Sequence, residues 1–229
     1  MELSAILIAR VLSFFEVVDV TPRSGIFFPD LVKELVHHCN FQKFPTTLDE
    51  WNSSEGAQFH IGKLGKTVID RLIVYNNGLQ VETHAGTSES KRIMEEIFLW
   101  AKDKFGIVYG PDTVKQWAYV STVTFRSDVP LLVTSPIERL AQAVTGHMSK
   151  LLEEEVVYRP ISLSIGHDPL TRKYGRASFL LQKRGETPLS DNKYFSEAPL
   201  PTDTHLELLA QYEKDVAEML TPRLLAAQP

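Results

Sequence analysis

Between residues 67 and 84 the apolar positions crowd into two short β-rich runs, TVIDRLIVY and LQVETH, separated by Asn76-Asn77-Gly78. An Asn-Gly pair between two such runs is a strong short-range hairpin signal, so strands are expected over 67–75 and 79–84. The period then changes. Met94, Phe98, Ala101 and Phe105 share one stripe, widened by Ile93, Ile97 and Trp100, which is helix spacing over 89–105. Thr87 or Ser88 is placed to cap this helix. Glu89, Glu95 and Glu96 lie in its earlier turns, Lys102 and Lys104 near its end, and Gly106 follows as a C′ residue.

The rest of the chain reads in the same way. A strand is expected over 12–20 (LSFFEVVDV), closed by Thr21-Pro22. A short helix over 29–39 puts Leu31, Leu35 and Cys39 on one face beside Val32 and Val36. Residues 42–58 are polar and turn-rich and read as a surface loop. A strand over 116–126 alternates a large face (Trp117, Tyr119, Ser121, Val123, Phe125) with a small, partly polar one, so one face is expected in the core and the other toward solvent or a partner. Ser135-Pro136-Ile137-Glu138 is a capping box with proline at the first helical position. The helix it opens, to about 154, has Ile137, Leu140, Ala141, Val144, Met148, Leu151 and Leu152 on its apolar face. A second hairpin pairs 160–166 with 177–184. Residues 185–203, with four of their number Gly185, Pro188, Pro199 and Pro201, read as an irregular connector. Thr204-x-x-Glu207 opens a last helix to about 220, and 221–229 read as a frayed tail.

The element order is therefore β-α-ββα-βα-ββα. Strands cluster in hairpins, which predicts an α+β fold with an antiparallel or mixed sheet of about six strands and three main helices packed on it. No low-complexity linker divides the sequence, so a single domain over 1–229 is expected. Ile97, Phe98, Leu140, Val144, Leu209 and Val216 are the core residues expected where helices meet sheet.

Composition narrows the classes. A chain of 229 residues with 43% apolar and 23% charged residues resembles an ordinary globular protein. Its net charge of −5 argues against general nucleic-acid or anionic-membrane binding. The lone cysteine, Cys39, excludes an intrachain disulfide scaffold. Arg10 and Glu16 interrupt the apolar N-terminal run, and Glu2 stands where a signal peptide carries positive charge. Neither a signal peptide nor a membrane span is expected, and the compartment that follows is the cytoplasm.

Each fragment that resembles catalytic chemistry has a structural reading. Gly62-Lys63-Leu64-Gly65-Lys66-Thr67 resembles a phosphate-binding loop, but His60 occupies the position of the first glycine, and a strand follows where a helix must begin. Residues 62–66 are read as a connection between strands over 57–61 and 67–75. Adjacent His37 and His38 diverge by about 100° on a helix and do not naturally share an ion. Cys39 reads as a buried, inert thiol, and no metal or cofactor is expected. Ser88-x-x-Lys91 lacks a companion motif, and Glu153-Glu154-Glu155 reads as a solvated helix end. His167 and Asp168 form the most enzyme-like fragment, since an imidazole beside a carboxylate can do acid–base work. The same stretch holds Arg172, Lys173, Arg176, Lys183 and Arg184 against the single acidic Asp168, a candidate binding site for phosphate, an acidic partner or nucleic acid.

Three functions follow from the sequence. The favoured one is a non-enzymatic interaction, assembly or regulatory subunit that binds a protein partner or itself as a homodimer. The second is a hydrolase or transferase acting through His167 and Asp168. The third is a phosphate or nucleic-acid binder using the basic residues of 172–184, a reading the net charge disfavours.

Overall fold

The structure, a computed structural model, describes residues 1–51, 54–132, 135–166 and 178–226, with side chains left out at Ser135 and from Pro222 onward. It is mixed α and β. Eight strands, β1 (Glu2–Phe14), β2 (Ala57–Leu64), β3 (Thr67–Tyr75), β4 (Gly78–Thr83), β5 (Gln116–Arg126), β6 (Ser162–Ile165), β7 (Phe179–Lys183) and β8 (Lys193–Ala198), form one sheet in the order β2-β3-β4-β1-β5-β8-β7-β6. Among the described residues there are six α-helices: α1 (Val17–Val20), α2 (Phe28–Cys39), α3 (Leu48–Trp51), α4 (Thr87–Phe105), α5 (Ser135–Leu152) and α6 (Thr202–Ala226). Strands and helices thus both outnumber the six and three expected.

Contacts divide the chain into two compact units. One comprises Ile6–Thr122 with Ala198–His205, the other Met1–Ala5, Val123–Glu197 and Leu206–Pro229.

In the first unit, β2–β3, β3–β4 and β4–β1 are antiparallel. Their inward side chains, among them Val11, Phe59, Leu72 and Val81, meet α4 and α2 in a continuous core. α4 buries Thr87, Ser90, Ile93, Met94, Ile97, Phe98 and Ala101, the face its periodicity predicts, and ends on Gly106 in the left-handed conformation at φ 70°. Its outer face is charged. Arg92 bonds both Glu89 and Glu96, and Thr67 Oγ1 donates to Glu89 Oε1 at 2.5 Å. Those donors, Arg92 first and then Thr67, pull the Glu89 carboxyl down to about 2.

Gly78 explains the Asn-Gly signal differently from a turn. The hairpin loop is Asn76-Asn77, neither of which has positive φ, and Gly78 is already in β4 opposite Phe14. A Cβ on Gly78 would lie 2.5 Å from the Ser13 carbonyl oxygen, so glycine serves the close approach of β1.

Several expectations fail here for identifiable reasons. The first strand is 2–14, not 12–20. Residues 17–20, although three of the four are valine, make one helical turn because Thr21 returns both its amide and its hydroxyl to the Val17 carbonyl. The stretch 42–58 contains α3 and the start of β2. Gln42 and Lys43 also bond the backbone of Ile61 and His60, so a chain segment meets the outer edge of β2, the kind of cover an edge strand requires. β5 is buried on both faces from Ser121 through Phe125, so its small face is not turned to solvent there.

In the second unit, β6–β7 and β7–β8 are antiparallel. β8 lies inside the stretch expected to be irregular. Its alternation of buried Tyr194, Ser196 and Ala198 has strand period, masked in the sequence by the prolines that flank it. Tyr194 organises this unit. Its ring stacks on Phe125 at 5.6 Å, and its hydroxyl accepts the Leu131 amide at 2.8 Å. Tyr212 donates its own hydroxyl to the Leu131 carbonyl at 2.9 Å. Glu213 of α6 accepts Ser127 Oγ at 2.6 Å and the Asp128 amide at 2.9 Å, and pairs with the Met1 ammonium. Burial raises its pKa, but these donors outweigh burial and leave it lowered. α6 begins two residues before Thr204 and continues into the expected tail. Leu209 and Val216 are buried as expected. Leu140 is not: it is 65% exposed, and Val144 is only half-buried.

Candidate functional site

His167, Asp168, Arg172, Lys173 and Arg176 lie outside the described residues. Of the expected site residues, Lys183 and Arg184 are described, and they do not act together. Arg184 follows the last residue of β7 and is not among the residues that line the cleft beside Lys183. Arg184 is exposed, whereas Lys183 is half-buried.

Lys183 stands at one side of a cleft of about 510 Å³ in the second unit. It is the last residue of β7, directly across from Tyr194 in β8. Its ammonium sits over the Tyr194 ring, 4.5 Å from the centroid, and donates to the Leu189 carbonyl at 2.7 Å and to Asn192 Oδ1 at 3.0 Å. These acceptors come from a 3-10 turn, Leu189–Asp191, and from Asn192, which ends the turn in the left-handed conformation at φ 48°. Asn tolerates that conformation better than most residues.

The opposite wall is α5. Its inward side presents Glu138, Ala141 and Thr145 to the cleft. Thr145 Oγ1 accepts the Tyr158 amide at 2.8 Å. One turn later, Ser149 Oγ bonds both the amide and the carbonyl of Val156 at 3.2 Å. These hydroxyls hold the segment after α5 and carry Arg159 to the rim of the cleft. Burial lowers the Lys183 pKa, the nearby positive charge of Arg159 lowers it further, and Asp191 partly opposes both. No carboxylate lies within ion-pair distance of Lys183 or Arg159 among the described residues, and Asp191 pairs instead with Lys193 at 3.3 Å. Sequence reasoning missed Arg159, Asn192 and Tyr194, because their convergence depends on β8 and on α5 folding back.

The other candidates resolve structurally. Thr67 opens β3 after a two-residue Gly65-Lys66 turn, so the Gly-Lys-Thr segment is a hairpin. β2 itself continues to Leu64, beyond the expected end at 61. Ser88 is exposed, and the Lys91 ammonium lies over the Trp117 ring at 4.8 Å. Cys39 is fully buried and its thiol is pushed up to about 12 by burial first and the charge of Glu96 second. His38 stacks face to face on Trp100 at 4.6 Å, and burial lowers its pKa. No group of three or more His, Cys, Asp or Glu residues suited to a metal occurs among the described residues. The sequence signals also gave no hint of the pair Ser121–His205, 3.2 Å apart between Oγ and Nδ1. Both residues are fully buried, and burial alone holds the imidazole down near 4. A substrate has no access to a nucleophile with zero exposure.

No helix among the described residues is long and apolar enough to cross a membrane. No protein-family model matches the chain, and no curated protein matches it by sequence.

Proposed function

We propose that the protein is a non-enzymatic assembly subunit that self-associates through α5. The observation that carries this reading is the exposure of the helix's apolar stripe. Ile137 is 48% exposed, Leu140 65% and Leu151 75%, with Val144 and Met148 half-buried between them. Residues at these spacings share one helix face, and an apolar face left in water is a recurrent mark of an interaction site.

The order of the stripe favours a second copy of the same chain as the partner. It is symmetric about Val144: Ile137 and Leu151 are seven residues to either side, Leu140 and Met148 four. Two antiparallel α5 helices related by a two-fold axis at Val144 set Ile137 against Leu151, Leu140 against Met148 and Val144 against itself. That is the self-complementarity an isologous contact requires. One helix pair makes a small interface, below about 1,200 Å², so micromolar affinity is expected.

Sedimentation equilibrium from about 1 to 100 μM tests the proposal. The mass should rise from 25.9 kDa toward the dimer. Leu140→Glu and Leu151→Glu should each hold the chain monomeric with an unchanged circular dichroism spectrum. Leu99→Glu, at an exposed leucine of α4, should dimerise normally. A monomer throughout the range, or a dimer that survives Leu140→Glu, would overturn it.

A further inference from the structure

We propose that the cleft beside Lys183 binds a small organic carboxylate with a compact apolar body. This inference concerns the inward side of α5 and stands apart from the dimer reading.

Four observations converge on it. The cleft is a built space of about 510 Å³, within the range that holds a small molecule. Its walls are chiefly apolar, with Pro130, Leu132, Ala141 and Leu189 among them. Two cations face it without an ion-pair partner among the described residues: Lys183, fixed by two acceptors and an aromatic ring, and Arg159 at the rim. The ammonium has three N–H donors, and the two acceptors named occupy two of them. A half-buried ammonium beside a second cation is a costly arrangement unless an anion joins it.

Charge chooses among anions. Lys183 and Arg159 supply two positive charges, and Glu138 on the α5 wall supplies one negative charge. By formal count these three lining residues carry one net positive charge, which suits a monoanion. A phosphate monoester, near two negative charges at neutral pH, meets Glu138 repulsively. A carboxylate can accept the remaining Lys183 N–H and a guanidinium N–H of Arg159 while its body lies on Leu132 and Leu189.

The test uses the full chain and three probes of one size: phenylacetate, phenylacetamide and phenyl phosphate. Titration calorimetry at pH 7.5 should show phenylacetate binding. The neutral amide and the phosphate should each bind at least about tenfold more weakly, the scale of one lost charged hydrogen bond. Arg159→Gln, at an exposed residue, should weaken phenylacetate about tenfold, and Lys183→Met should abolish binding. Because Lys183 packs on Tyr194, the Met variant counts only if its melting temperature stays near the parent's, and Arg159→Gln decides otherwise. Arg184→Gln, at an exposed residue outside the cleft lining, should change nothing. Equal binding of acid and amide, unaltered affinity in Arg159→Gln, stronger binding of phenyl phosphate, or no binding of phenylacetate at millimolar concentration would each overturn the proposal.

Discussion

Thr87 and Thr202 cap one another's helices. The Thr87 amide donates to Thr202 Oγ1 at 3.1 Å, and the Thr202 amide donates to Thr87 Oγ1 at 2.8 Å. Each is the first residue of its helix, α4 or α6, and both are buried. The first amides of a helix have no partner within it, and buried ones cannot turn to water instead. Thr87→Ala and Thr202→Ala should therefore each destabilise the fold by about 1–2 kcal/mol in urea denaturation. Serine at either position keeps the hydroxyl and should recover most of the loss. Alanine variants within about 0.3 kcal/mol of the parent would mean that the reciprocal bonds contribute nothing.

His205 makes stability depend on pH. Its imidazole is held near 4 in the folded chain by burial, against an ordinary value of 6.5. Protonation therefore favours the unfolded chain. The contribution is full above about pH 6.5, falls as the pH drops, and is exhausted near pH 4. The total is roughly 3 kcal/mol. His38, also lowered by burial, acts in the same direction, so the variant comparison isolates His205. Urea midpoints at pH 7.5, 6 and 5 should decline for the parent, and the decline should be shallower in His205→Gln. Parallel curves for parent and variant would refute the assignment.

The parts legible in the sequence are those where local pattern and tertiary packing agree. α4 shows it best: the residues at helix spacing from Ile93 to Ala101 are the ones that face the core, and Gly106 ends the helix as expected. β5 has the expected bounds. Where another part of the fold decides, the pattern misleads. Val17–Val20 has strand composition, yet Thr21 closes it into a helical turn. Neither Thr87 nor Ser88 caps α4 as expected: its N-cap is Gly86, with no side-chain bond, and the amide that the Thr87 hydroxyl accepts belongs to α6, 115 positions away. The stripe of α5 was legible as a face, but not that Leu140 and Leu151 on it are left exposed. For the candidate site, only Lys183 stood out, as one of a run of basic residues. Its partners Tyr194, Asn192 and Leu189 come from the stretch that prolines made look irregular, so no local signal joined them.

Cys39 should be chemically silent in the native protein. A thiol pushed up to about 12 holds almost no thiolate at pH 8, and a fully buried sulfur admits no reagent. Labelling with a chromogenic disulfide at pH 8 should report no reactive thiol in the folded chain. One equivalent should react after unfolding in guanidinium. Stoichiometric labelling within seconds without denaturant would show that α2 opens readily.

Gly62 and Gly146 predict opposite outcomes for the same substitution. Gly62 lies in β2, where an added Cβ would stand 2.4 Å from Phe41 Cε1 and 3.0 Å from the Cys39 carbonyl oxygen. Phe41 is buried against Phe59, with ring centroids 5.3 Å apart, so the ring has nowhere to withdraw. Gly62→Ala should cost about 1–3 kcal/mol, the range for overpacking a filled core. Gly146 lies within α5, and an added Cβ there meets nothing within 4 Å. Its backbone is helical, so alanine adopts it without strain while removing conformational freedom from the unfolded chain. Gly146→Ala should therefore stabilise by about 0.5–1 kcal/mol. Urea unfolding of both variants beside the parent is the measurement. The midpoints should move in opposite directions at constant slope. Loss of stability in Gly146→Ala would show that the outer side of α5 has a close neighbour, and a neutral Gly62→Ala would show that Phe41 has room to move.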